Sequence, residues 1–255
     1  ISFEKEEGKA YMQYSTFAAI DIGSYDVILE IFEISKKQGI RSVDKICHRM
    51  ELGKDTYTLG KIRPEMEEEL CRVLADFVRI MEGYRVDDYR ATASSAISEA
   101  SNSLYVLGKI HQLTGLSVTV LSNSEQRFLS YKALAAMEDN FNKIIEKGTA
   151  ILDLDGGSFQ ISLFDKDALV TTQNIRMGSL RIRERLAGIQ SETEHYEEMV
   201  EELIWNEVSS FKKMYRQVRQ IRPIRKMKPF SCRESLTHGS RRGMRLFLWT
   251  TKRTV

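Results

Sequence analysis

Apolar positions along the chain fall into short runs, and between them lie stretches with apolar residues every three to four positions. The central run is 150–164, A-I-L-D-L-D-G-G-S-F-Q-I-S-L-F. It predicts a buried strand over 150–154, an acidic-glycine turn over 155–158 and a second strand over 159–164. The same pattern occurs about 130 residues earlier, where 17–22 ends in Gly23-Ser24 and apolar alternation resumes over 27–32. Asp-Gly between apolar runs is also the commonest hairpin signal, so either copy alone marks a turn as readily as a site. Two copies point to two related lobes facing each other across a cleft.

The remaining elements alternate. Strands are expected over 28–34 and 40–52, joined by a turn at 36–39. Pro64 opens a helix with Met66, Leu70, Val73, Leu74, Phe77 and Ile80 on one face, Glu65, Glu67, Glu68 and Glu69 at its positive end, and Gly83 as its stop. A strand over 89–93 enters the small-residue stretch 91–102, which becomes a helix carrying Leu104, Leu107 and Ile110. A strand over 118–121, the turn Ser122-Asn123-Ser124 and a helix over 125–137 lead to the central hairpin. Beyond it come a strand over 169–176, a helix entered through Met177-Gly178-Ser179-Leu180, and a long amphipathic helix over 192–215. Alternating strands and helices give an α/β class.

Composition fits this picture. The 255 residues are 42% hydrophobic and 29% charged, enough for a sizeable core and two domains. No apolar run approaches the roughly 20 residues a membrane span requires, and no signal-like segment opens the chain. Cys47, Cys71 and Cys232 form neither a disulfide framework nor a metal-ligand pattern, so a reducing, cytoplasmic setting is expected. His48, His111, His195 and His238 are scattered. The net charge of +2 hides a split: 216–255 holds twelve of the 38 basic residues and one of the 36 acids, leaving 26 basic against 35 acidic residues in 1–215. That segment also carries Pro223 and Pro229 and lacks clear periodicity, which marks it as a disordered or non-native tail. The expected organisation is a frayed 1–15, a first lobe over 16–133, a partial second lobe over 134–215 and the tail over 216–255.

Five blocks in order carry a resemblance: F-A-A-I-D-I-G-S (17–24), A-T-A-S-S-A-I-S-E-A-S-N (91–102), L-S-N-S-E-Q-R (121–127), I-L-D-L-D-G-G-S-F (151–159) and I-R-M-G-S-L-R (175–181). Over roughly 16–190 the chain resembles the exopolyphosphatase and guanosine pentaphosphate phosphohydrolase (Ppx/GppA) family, within the actin-like/sugar kinase/Hsp70 superfamily. The resemblance implies two ribonuclease-H-like lobes with a cleft between them, the second incomplete. It implies magnesium-assisted hydrolysis of a terminal phosphoanhydride in inorganic polyphosphate or pppGpp. Such chemistry needs positioned donors, a divalent cation and a group that orients water. Asp21 and Asp153, at matching strand ends, are the expected cation holders. Gly23, Ser24, Ser98, Gly156, Gly157 and Ser158 are the expected phosphate cradle, closed by Gly178 and Ser179. Glu125 and Gln126 occupy the water-activating block. The expected partners are polyphosphate or a guanosine penta- or tetraphosphate and, by analogy, a second copy of the chain, with no membrane or specific nucleic acid. Arg176, Arg181, Arg183 and Arg185 are read as a solvated helix face, with a polyanion channel as the alternative.

Departures from the family pattern shape the functional reading. Tyr25 and Asp26 replace an Asn-Ser pair, Ser98 replaces a phosphate-holding arginine, Gln126 replaces the second glutamate, which resembles the base, and Asp155 replaces a glycine. Gln cannot accept a proton, and losing a general base costs about 10²- to 10⁴-fold. Either Glu125 takes over by a one-residue shift, or the chain is a sensor that binds polyphosphate or a guanosine nucleotide without turnover. A kinase or ATPase of the same superfold ranks third, because no adenosine-pocket signature is visible.

Overall fold

The computed structural model describes residues 14–137, 141–146, 149–187, 195–214 and 245–250. The expected frayed end therefore lies outside the described residues except for its last two positions, as does the expected tail except for 245–250.

The first sheet contains β1 (Ser15–Ile22), β2 (Asp26–Ser35), β3 (Gly39–Arg49), β4 (Asp88–Ala93) and β5 (Val118–Val120), in the order β3-β2-β1-β4-β5. β1, β2 and β3 form an antiparallel meander, and β4 and β5 continue the sheet in parallel. Alternation decides which face is buried: Ala18, Ile20 and Ile22 on β1 and Val27, Leu29 and Ile31 on β2 lie at 1% exposure or less. They pack with a helical layer of α1 (Leu52–Leu59), α2 (Pro64–Gly83), α3 (Ser95–Ser98) and α4 (Ser103–Thr114). α2 fits its sequence signals at both ends, with Pro64 in the first turn and Leu70, Val73, Leu74, Phe77 and Met81 as the buried stripe.

The second sheet contains β6 (Thr149–Leu154), β7 (Phe159–Asp165), β8 (Ala168–Ile175) and β9 (Arg245–Thr250), in the order β8-β7-β6-β9. Helices cover both faces. Tyr131 and Leu134 of α5 (Asn123–Met137) and Ile145 of α6 (Phe141–Ile145) pack with Ile151 and Phe164. On the other side Phe211 of α8 (Tyr196–Met214) and Ile182 and Leu186 of α7 (Ser179–Leu186) pack with Phe159, Ile161 and Leu163. Burial on both faces explains why the run of β6 is nearly unbroken in apolar residues. The boundary expected after residue 133 cuts through α5, whose packing is with this second sheet.

The two sheets share a construction. Ile22 pairs with Val27 and Leu154 with Phe159, so each first hairpin has a four-residue loop. Gly23 N–H donates to Asp26 O in one loop and Asp155 N–H to Ser158 O in the other, both at 2.9 Å. Each first strand then has a parallel neighbour, β4 beside β1 and β9 beside β6. The lobes are thus ribonuclease-H-like in outline. Among the described residues the second sheet has four strands and no counterpart of β5.

Two departures from expectation have physical causes. The strand expected to reach residue 52 stops at Arg49, because Glu51 turns left-handed (φ 50°), its N–H donating to Tyr25 O at 3.0 Å, and α1 follows. The second is β9, in the segment read as a disordered or non-native tail; its R-L-F-L-W-T run is apolar enough to extend a sheet, parallel to β6.

Candidate active site

The loops of the two first hairpins meet. Ser24, fully buried, shares hydrogen bonds with Tyr57 Oη (2.7 Å) and Ser95 Oγ (3.5 Å), and Tyr57 Oη with Ser95 Oγ (2.8 Å). A Cβ added at Gly156 would stand 3.0 Å from Ser24 Cβ, and one at Gly157 would overlap Tyr57 Oη and Ser95 Oγ. Glycine at 156–157 is therefore what lets the second hairpin approach this hydroxyl cluster. Ser158 accepts from Asn174 Nδ2 at 3.1 Å.

Behind the turn, Gly178 precedes α7 and lies against the backbone of Asp155 and Gly156. Ser179 N–H donates to Asp155 O, and Leu180 N–H to Gly156 O, both at 3.0 Å. Gly178 and Ser179 thus brace the turn. Ser98 is exposed at the end of α3, whereas Ser95 and Glu99, close to it in sequence, reach toward the second lobe.

The carboxylates take distinct environments. Asp21 and Asp153 are each the penultimate residue of a first strand, β1 and β6. Asp21 is exposed, whereas Asp153 accepts from Ser130 Oγ at 3.1 Å through Oδ2 and buries Oδ1 without a hydrogen-bond partner. Burial pushes its pKa up to about 6; the Ser130 bond opposes the rise and the charge of Asp155 adds to it. Asp155 Oδ1 accepts from Gly156 N–H at 2.6 Å, and Oδ2 faces Gln126 Nε2 at 3.5 Å. Gln126 and Ser130, one turn apart on α5, therefore address the two aspartates from the same helix face. No group of three or more His, Cys, Asp or Glu side chains suited to a metal ion occurs among the described residues. A buried carboxylate with an orphaned oxygen beside a second carboxylate nevertheless fits a cation, which would relieve both the desolvation and the repulsion.

Glu125 has a different task. Its Oε2 accepts from Ser122 N–H (2.9 Å) and Ser122 Oγ (2.7 Å), while its own N–H donates to Ser122 Oγ (3.2 Å). This is a capping box at the start of α5, and those bonds hold the Glu125 carboxyl below its usual pKa. The S-x-x-E spacing of Ser122 and Glu125 is its sequence signal.

Arg181 and Arg183, read as a solvated helix face, instead join the lobes. Arg181 Nε donates to Gly157 O at 2.9 Å, Nη2 donates to both Glu99 oxygens at 3.1 and 3.0 Å, and Cζ lies 3.8 Å from the centre of the Tyr57 ring. Arg183 donates to Glu51 through Nη1 at 3.0 Å and Nη2 at 2.5 Å, and also bonds Glu184. The Arg183 contact, opposed by partial burial and helped by Arg49, holds the Glu51 carboxyl down to about 2. Nothing in local spacing signals these pairs, whose partners lie 82 and 132 positions apart. Tyr57 was also hidden, within an α1 whose sequence lacks a regular apolar stripe.

Two ribonuclease-H-like sheets meeting hairpin to hairpin, with an aspartate closing each first strand, define a protein of the actin-like ATPase fold class. Within it the match is specific: the Ppx/GppA phosphatase family matches residues 30–238, and the chain belongs to that family. Among curated proteins, it is 22% identical over 174 residues to a bifunctional 3-dehydroquinate synthase/phosphatase of Fusobacterium nucleatum, covering 66% of this chain and 26% of that protein. It is 25% identical over 144 residues to exopolyphosphatase 1 of Mycobacterium leprae, covering 56% of this chain and 41% of that protein. The chain thus spans less than half the length of either relative. Among solved structures, an exopolyphosphatase from Cytophaga hutchinsonii superposes with a TM-score of 0.67 at 18% identity, over 79% of this chain and 64% of that one. The Aquifex aeolicus member of the Ppx/GppA family gives 0.60 at 23%, over 78% and 63%. At these identities the structural likeness concerns the fold.

Proposed function

We propose that the chain hydrolyses terminal phosphoanhydride bonds of inorganic polyphosphate or pppGpp in the cleft between the lobes. The observation that carries this reading is Asp153, the penultimate residue of β6, half-buried and with a buried Oδ1 that has no hydrogen-bond partner, next to Asp155 and the Gln126 face of α5. Membership of a phosphatase family supplies the reaction class.

Asp153, with Asp21 from the other lobe, would hold a divalent cation, taken as magnesium. Such a cation supplies charge neutralisation to the phosphate oxygens. The chain's own part is positioning. The Ser24, Tyr57 and Ser95 hydroxyls hold the two hairpins together, and the Gly156-Gly157-Ser158 turn would cradle the phosphate. The Gln126 amide orients a water but cannot take its proton, so the acceptor in this reading is the Asp155 carboxylate it faces. The water oxygen bonds to the terminal phosphorus, the bridging P–O bond breaks, and the shortened chain leaves with the electron pair.

A sensor without turnover is the second reading, favoured by Gln126 standing where a base is expected and by Glu125 being committed to its cap. The test is phosphate release from polyphosphate and from pppGpp with magnesium, alongside thermal melting with each ligand. Release that requires Asp153 supports the hydrolase; a raised melting temperature with no release leaves the sensor.

A further inference from the structure

We propose that Arg181 is a phosphate-binding residue whose guanidinium is held by Glu99 until a phosphate group of the ligand displaces that carboxylate. The inference rests on the reading of the interlobe cleft as a phosphoanhydride site and deepens it by naming a binding group and its internal competitor.

Arg181 is placed for this by three restraints. Nε is fixed by Gly157 O at 2.9 Å, at the turn expected to cradle phosphate. The guanidinium lies 3.8 Å from the centre of the Tyr57 ring, and the Tyr57 hydroxyl belongs to the cluster with Ser24 and Ser95. Its outer nitrogen, Nη2, then donates to both oxygens of Glu99 at 3.1 and 3.0 Å. A stacked guanidinium anchored at one nitrogen presents its remaining donors in a fixed plane, the geometry that suits carboxylate and phosphate alike. Glu99 thus occupies a donor that a phosphate oxygen would take.

Exchange is physically accessible. The side chains of Arg181 and Glu99 retain 21% and 25% of their exposure, so water reaches the pair and the carboxylate can swing out without unfolding the lobe. A phosphate group carries more charge than a carboxylate and makes stronger charge-assisted bonds to the same fork. Arg183 provides the contrast. It is shared between Glu51 and Glu184, and its other close neighbour is the Tyr25 ring, so it serves as a clasp between lobes.

The two roles for Glu99 predict opposite signs. If Glu99 competes with ligand, Glu99→Gln strengthens binding; if the pair is only a clasp, Glu99→Gln weakens it. The experiment is calorimetric titration of inorganic tripolyphosphate, with magnesium, into the full chain and its Glu99→Gln, Arg181→Met and doubly substituted variants. The expected result is binding about tenfold tighter in Glu99→Gln and about tenfold weaker in Arg181→Met, with the double variant no better than Arg181→Met. Melting temperatures measured alongside should fall further in Arg181→Met, which loses the Gly157 bond and the Tyr57 stacking as well as the ion pair. Equal or weaker binding in Glu99→Gln overturns the proposal, and that variant decides the matter even if Arg181→Met does not fold. Tighter tripolyphosphate binding in Glu99→Gln, with no phosphate release from long-chain polyphosphate or pppGpp, would end the hydrolase reading and leave this inference standing. Release by the unsubstituted chain with weaker binding in Glu99→Gln would do the reverse, and no tripolyphosphate binding by the unsubstituted chain would overturn this inference.

Discussion

Gln126 Nε2 lies 3.5 Å from Asp155 Oδ2, so the amide at the start of α5 faces the carboxylate of the β6–β7 turn. The two positions are 29 apart in sequence. Both are positions where a departure from the family pattern is expected, and in space they lie together. A carboxylate opposite Asp155 would bring two like charges together, whereas an amide donates to it.

That contact predicts coupling. Gln126→Glu should destabilise the chain at neutral pH, Asp155→Gly combined with it should relieve most of the loss, and the non-additive term should be about 0.5–3 kcal/mol. Urea unfolding of the four forms measures it. Additive effects would show that the two side chains do not interact.

Asp153 predicts a pH dependence with an unusual sign for an aspartate. Its folded pKa of about 6 lies above the ~3.9 of an unfolded aspartate. The fold therefore binds the proton more tightly than the unfolded chain, and stability from this group falls as pH rises from about 4 to about 6. Above that range the charged form costs up to about 3 kcal/mol. In chelator-containing buffer, Asp153→Asn should be the more stable form at pH 7.5, with the difference vanishing near pH 4. Urea midpoints at the two pH values check this.

Glu125 predicts a stability effect at the helix start. Glu125→Ala should cost about 1 kcal/mol by opening the capping box with Ser122, and Glu125→Gln should cost less because the amide oxygen still accepts. In neither variant should phosphate release fall by the 10²-fold or more expected for loss of a base. Steady-state assays paired with thermal melting separate the two effects.

Gly157→Ala predicts failure of the interlobe approach. The new methyl would overlap Tyr57 Oη and Ser95 Oγ, so the hydroxyl cluster must part or the hairpin must withdraw, at about 1–3 kcal/mol. Loss of ligand-induced stabilisation beyond the drop in melting temperature is the expected readout.

Much of the architecture is legible locally. Pro64, the acidic first turn and the apolar stripe specify α2, and the two Asp-Gly/Ser loops specify matching hairpins because their turn chemistry lies within a few residues. Asp153 stands out for the same reason. α1 was invisible because L-G-K-D-T-Y-T-L has no regular apolar stripe and is entered through a left-handed Glu51 fixed by distant partners. The roles of Arg181 and Arg183 depend on how the lobes meet, which no helix-face pattern encodes. β9 was masked by the basic residues around its short apolar run.

The most direct test of the account is magnesium-dependent phosphate release from long-chain polyphosphate and from pppGpp by the full chain, compared with Asp153→Asn. Release from at least one substrate by the unsubstituted chain is expected, with at least a 10²-fold loss in the variant at unchanged or higher stability. Release that persists in Asp153→Asn, or no release from either substrate by the unsubstituted chain, would contradict it.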